Sequence, residues 1–151
     1  MTRVRYATVA APGGVNEDYV IAGPSWVVVL DGATAPLGVD SGCVHDVSWL
    51  VRTLAGALAV RLDGDESLPG VLARAIAATM DAHAATCDLG NPNSPSCTVA
   101  IARRRGDGGI ADPRHRTPRN GRAPSRVTVM EKGCANGDSR VSREPLGGLG
   151  R

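Results

Sequence analysis

The sequence predicts an α+β fold in which a few strands pack against an antiparallel pair of helices. Three observations carry it. The run Trp26-Val27-Val28-Val29-Leu30 is continuously apolar and ends abruptly at Asp31-Gly32, as expected of a strand buried on both faces. Two stretches of helical periodicity follow, separated only by a short acidic connection. After them, Ser94-Pro95-Ser96-Cys97-Thr98-Val99-Ala100 leads into another apolar β segment. The 151 residues suffice for one domain but not for two ordinary ones. With no Phe and 3% aromatics, the core must be built from Val, Leu, Ile and Ala.

Taken in order, Arg3–Val9 alternates and reads as a first strand. Ala11-Pro12-Gly13-Gly14 breaks it. Tyr19–Ala22 is a short apolar strand, Gly23-Pro24-Ser25 turns the chain, and Trp26–Leu30 is the next strand. Ser41 is a plausible N-cap for the first helix, with Asp46 in its early turns and Val47, Leu50, Val51, Leu54, Leu58 and Leu62 as its stripe. Asp63-Gly64-Asp65 stops that helix. Ser67-Leu68-Pro69 opens a second, with proline near its first turn and Leu68, Leu72, Ile76, Met80 and His83 as its stripe. Thr98–Ala102 is a further strand beyond the Asn91–Pro95 loop.

Past Arg105 the periodicity fails. The net charge is −5 over residues 1–102 and +7 over 103–151, which together give the overall +2. All four aromatics lie in the first part. Residues 1–105 therefore read as a folded half domain. Residues 106–151 read as a low-complexity basic tail that is expected to be disordered, with only Val127–Met130 resembling a short strand. Its patternless Arg, Gly, Pro, Ala and Ser suggest a truncation or a frame change in a GC-rich sequence.

Several function classes fall away. No apolar run approaches the ~20 residues that span a bilayer, and the N-terminus lacks the apolar core of a secretory signal. A cytoplasmic location is expected, and with it reduced thiols at Cys43, Cys87, Cys97 and Cys134. His83 and Cys87, four residues apart, have the spacing of a shared metal site, but a helix-end histidine and a small apolar thiol is the reading that fits. His45-Asp46 has the form of an HD dyad without the partner residues, and Ser96 lacks a nucleophile-elbow setting. Arg103-Arg104-Arg105 and the arginines that follow could neutralise phosphates. They have no interleaved aromatics, so nucleic acid is not the expected partner.

The candidate chemistry lies in Asn16-Glu17-Asp18 and Asp31-Gly32. A carboxylate at the end of an apolar strand needs a reason. Hard divalent cations, which prefer oxygen ligands, supply one, and a plain Asx-Gly turn is the alternative. The order of Asn16-Glu17-Asp18, a strand ending in Asp31-Gly32-Ala33, two helices and Ser94–Ala100 resembles the metal-dependent protein phosphatase 2C (PPM-type) family over about residues 3–105. The resemblance implies half of an α-β-β-α sandwich and hydrolysis of phosphoserine or phosphothreonine in a phosphoprotein substrate, with two Mg²⁺ or Mn²⁺ ions. It implies that Asp31 bridges the ions, that Glu17 and the Gly32 carbonyl hold one of them, and that Asp18 orients water.

The chain departs from that pattern in two ways. Gly13 stands where many members carry a phosphate-binding arginine. The further metal-binding aspartates of the family's second half have no clear counterpart: Asp107-Gly108 lies in a basic loop, and Asp138 in Ala135–Val141 follows no buried strand. The expectation is thus a truncated or degenerate phosphatase with little turnover. The rival is a non-catalytic scaffold or interaction module with a basic tail.

Overall fold

The computed structural model describes residues 4–104 and the backbone of 128–133 and 140–142. Five strands form one antiparallel sheet in the order β1-β2-β3-β4-β5: β1 (Tyr19–Ala22), β2 (Trp26–Ala33), β3 (Ser96–Arg103), β4 (Thr128–Gly133) and β5 (Arg140–Ser142). Helices α1 (Val47–Leu62) and α2 (Leu68–His83) form a hairpin between β2 and β3. The fold is α+β, with one helical layer packed on one face of a sheet, as the sequence predicts. Strands β4 and β5 continue the sheet beyond β3, inside the span read as a tail; the rest of 106–151, including Cys134, Asp107 and Asp138, lies outside the described residues.

Strand alternation explains the core. On the helix-facing side, Trp26, Val28 and Leu30 of β2 lie opposite Arg103, Ile101 and Val99 of β3, and all six are buried. The next residues along point the other way, where Val29 is 43% exposed. The run Trp26–Leu30 is therefore covered on one face only, contrary to the expectation from its unbroken hydrophobicity. The Val4–Val9 segment also departs from expectation. It joins no ladder among the described residues and is largely exposed, because alternation supplies a strand face but no neighbour to pair with.

Helix α1 lies closest to the sheet, contacting β1, β2 and β3, while α2 packs along α1. Its N-cap is Asp46, which accepts from the Trp49 amide at 2.7 Å, rather than Ser41. Ser41 is occupied in the preceding loop, accepting from the Cys43 amide. α2 opens at Ser67-Leu68-Pro69 as expected, and Ser67 is its N-cap, accepting from the Gly70 amide, with Pro69 in the first turn. The buried stripe of α2 is Leu68, Val71, Leu72, Ala75, Thr79 and His83. Ile76 and Met80 are only half-buried; the small residues Ala75 and Thr79 face inward and set the centre of the contact.

The α1–α2 connection is fastened to the sheet by a cross-strand pair. Trp26 Nε1 donates to Asp63 Oδ1 at 2.8 Å. Opposite it, the Arg103 guanidinium donates to the carbonyls of Leu62 at 3.2 Å and Gly64 at 2.9 Å, and to that of Glu66. A buried cation thus meets the negative end of α1 and satisfies the carbonyl of its last residue together with two of the connection. Arg103 is in this way removed from the basic run in which the sequence places it. Gly23, in the β1–β2 turn, lies against the Trp26 indole; a Cβ there would come within 2.4 Å of the ring.

Two outcomes follow from this packing. Leu54→Ala should cost about 2–5 kcal/mol in chemical denaturation, as large-to-small core changes do, and Ile76→Ala clearly less, since only the first is fully enclosed. Arg103→Met should cost at least ~2 kcal/mol in the same measurement, because it strips charged donors from buried carbonyls. A smaller loss would mean that water serves them equally well.

Candidate functional site

The acidic residues converge at the end of β2 where α1 begins. Tyr19 of β1 pairs with Leu30 of β2. One step further along that register sets Asp18 opposite Asp31, on the face away from the helices, and a second step sets Glu17 opposite Gly32. The contacts agree. A Cβ on Gly32 would lie 2.5 Å from the Glu17 carbonyl oxygen and 2.4 Å from Val47 Cγ1, so only glycine lets the Glu17 backbone and α1 approach this closely. Asn16 organises the approach. Its side chain accepts from the Asp18 amide at 3.0 Å and pairs with Thr8, and its carbonyl accepts from Ser48 of α1 at 3.4 Å.

Asp18 and Asp31 form a like-charged cross-strand pair, an arrangement that destabilises a sheet unless a proton or cation is shared. The Asp31 carboxyl is raised above its ordinary value, first by partial desolvation, then by the Asp18 charge and by a side-chain hydrogen bond that protonated Asp31 donates to Asp18. The Glu17 carboxylate is directed elsewhere, accepting from the Thr34 hydroxyl. The structure therefore joins Asp18 to Asp31 and the Glu17 backbone to Gly32, but does not gather all three carboxylates around one point.

A cleft of about 390 Å³ runs beside this corner, lined by the 34–47 segment together with Asn93 and Pro95. At its far side lies a group the sequence reading did not assemble. Cys43 and Cys87 are joined as a disulfide, with an isolated β-bridge between them. This corrects the expectation of thiols at those two positions, which rested on compartment rather than geometry. Cys97, buried in β3, takes no part in it. His83, at the end of α2, is 1% exposed and places Nδ1 3.7 Å from Cys43 Sγ. His45 stacks on Trp49 with ring centroids 3.9 Å apart. Among the described residues, Cys43, His83 and Cys87 are the one group of three metal-type donors whose ligand atoms lie within 4.8 Å of one another. The spacing of His83 and Cys87 was the available signal; Cys43, 44 residues from Cys87, could be placed only by the fold.

No known protein family, curated protein or solved structure matches this chain.

The raised Asp31 carboxyl has a consequence for stability. Between the ordinary carboxylate range near pH ~4 and the higher folded value, the folded chain holds a proton that the unfolded chain has lost. Stability should therefore fall as pH rises through that window. Asp31→Asn should flatten this dependence and, without added metal, be at least as stable as the parent at neutral pH in urea unfolding. A variant that is less stable at neutral pH, with the slope intact, would show that the pair carries no repulsion.

Proposed function

We propose that this chain is a truncated or degenerate metal-dependent serine/threonine phosphoprotein phosphatase of the PPM type, retaining the corner that holds one divalent cation. The observation that carries this reading is the Asp18–Asp31 pair at the sheet surface, beside a glycine that cannot be replaced without displacing Glu17. Two adjacent carboxylates with no ion pair to a side-chain cation among the described residues are what a hard cation relieves. Asp31, the Gly32 carbonyl and Glu17 would hold one Mg²⁺ or Mn²⁺, Glu17 after release from Thr34. Bound there, the ion would neutralise phosphate charge and lower the pKa of a water. Asp18 would accept a hydrogen bond from that water and keep it aimed at phosphorus, while the neighbouring cleft would admit a phosphorylated side chain.

A second ion would need carboxylates beyond these. Glu17 and Asp31, with Asp18 behind them, supply too little negative charge for two ions carrying a formal +4. A specific observation also favours the rival, a non-catalytic scaffold: the Glu17 carboxylate is already engaged by Thr34.

The two readings part on metal binding. On the phosphatase reading, Mn²⁺ raises the melting temperature of the whole chain, and Asp31→Ala abolishes the rise. Hydrolysis of p-nitrophenyl phosphate or a phosphopeptide is expected to be no faster with Mn²⁺ than with EDTA, since one ion is not enough. If Mn²⁺ leaves the parent's melting temperature unchanged, the metal corner is vestigial and the scaffold reading stands. Metal-dependent turnover that vanishes in Asp31→Ala would show instead that residues beyond 105 complete the site.

A further inference from the structure

We propose that Cys43, His83 and Cys87 form a redox-controlled zinc site, in which reduction of the Cys43–Cys87 disulfide creates the two thiolate ligands. The inference is independent of the phosphatase reading and uses none of its residues.

The argument begins with distance. Zinc takes sulfur at ~2.3 Å and imidazole nitrogen at ~2.0–2.1 Å in a tetrahedron, which sets a sulfur and a nitrogen on one ion roughly 3.6 Å apart. Cys43 Sγ and His83 Nδ1 are 3.7 Å apart. Cys87 Sγ is bonded to Cys43 Sγ and lies in the same cluster, all three ligand atoms being within 4.8 Å of one another. Once the sulfur–sulfur bond opens, rotation about the two Cα–Cβ bonds separates the sulfurs, while the backbone bridge between residues 43 and 87 holds both chains in place.

The histidine suits the role. Its ring is 1% exposed and turns Nδ1 toward Cys43 Sγ. Its Nε2 is buried and makes no hydrogen bond. His45 is a further donor close by. Its ring centroid is 6.2 Å from that of His83, and its Nε2 lies 3.1 Å from Thr86 Oγ1, itself 3.8 Å from Cys87 Sγ.

The surroundings are built to hold still. The Asp88 amide donates to the Gly42 carbonyl at 2.7 Å, the Asn91 side chain donates to the Asp40 carbonyl, and the Ser94 hydroxyl reaches the carbonyls of Ser41 and Asp88. The two segments bearing the cysteines thus stay joined without the covalent bond.

The chemistry balances with a dithiol as reductant. Exchange passes two electrons to the protein disulfide, giving two protein thiols and the oxidised, disulfide form of the reductant. Zinc then displaces the two thiol protons on binding. In the reverse direction a small-molecule disulfide accepts the two electrons, the protein disulfide re-forms, and zinc leaves.

The test uses the full chain, reduced with a phosphine and titrated anaerobically with Co²⁺ and then Zn²⁺. One Co²⁺ per chain should bind with thiolate-to-metal charge-transfer absorption and the visible bands of a tetrahedral ion, and Zn²⁺ should displace it. The oxidised chain should show neither signal, and the Cys43→Ser/Cys87→Ser double variant should lose both. Mapping of alkylated thiols in the parent keeps the test open even if that variant does not fold: Zn²⁺ should protect Cys43 and Cys87 in the reduced chain and leave the alkylation of Cys97 and Cys134 unchanged. Absence of thiolate–metal absorption in the reduced parent would overturn the proposal. So would undiminished absorption in the double variant, or protection confined to Cys97 and Cys134.

Discussion

The helical layer depends on one buried cross-strand pair. Trp26 and Arg103 face each other at one end of β2 and β3, and both reach into the α1–α2 connection. A guanidinium this enclosed is costly unless every donor is matched. Here the match is the last carbonyl of α1 and two carbonyls of the connection, which would otherwise be left without this donor in the same place. Each deficit removes the other. Because the connection is held there, the start of α1 and the end of α2 must lie together at the opposite end of the sheet.

That geometry concentrates the chemistry. The end of α2 brings His83 to Cys43 and Cys87. The start of α1 brings Val47 against Gly32, and so fixes the height of Asp31 relative to Asp18. A disulfide and a set of loop hydrogen bonds close this end, as Arg103 and Trp26 close the other. Among the described residues, one end is thus structural and the other, polar end carries the candidate reactive groups.

The legible parts of the sequence were those governed by local periodicity. The two helices, the leucine stripe on α1, the start of α2 at Ser67-Leu68-Pro69 and the three strands from Tyr19 to Arg103 follow from local pattern alone. The pairing of Asp18 with Asp31 was half-legible, since each stands at the end of an apolar strand, but their juxtaposition needed the register. What could not be read depended on a distant neighbour. An apolar run such as Trp26–Leu30 looks the same whether one or both faces are covered. Val4–Val9 alternates but gains no ladder. The inward face of α2 centres on Ala75 and Thr79 because α1 is close enough to prefer small residues there. Arg103 reads as the first residue of a basic run, and only the position of α1's last turn reveals it as a buried ligand for carbonyls.

The two reactive groups at the polar end differ in kind, and that difference keeps them apart. Asp18 and Asp31 offer oxygen, which suits Mg²⁺ and Mn²⁺. Cys43, Cys87 and His83 offer sulfur and nitrogen, which suit zinc. They flank the segment from Thr34 to Asp46, whose residues line the cleft between them. Thr34 holds Glu17 at one side of that segment and Cys43 anchors the other. The segment is thus tied at both ends, and the hydrogen bonds of Asp40, Ser41 and Gly42 to the 88–94 segment hold it firmly at the sulfur end whether or not the disulfide is closed. The oxygen corner is the more open of the two: Asp31 is exposed there, and a single hydroxyl, that of Thr34, engages the Glu17 carboxylate.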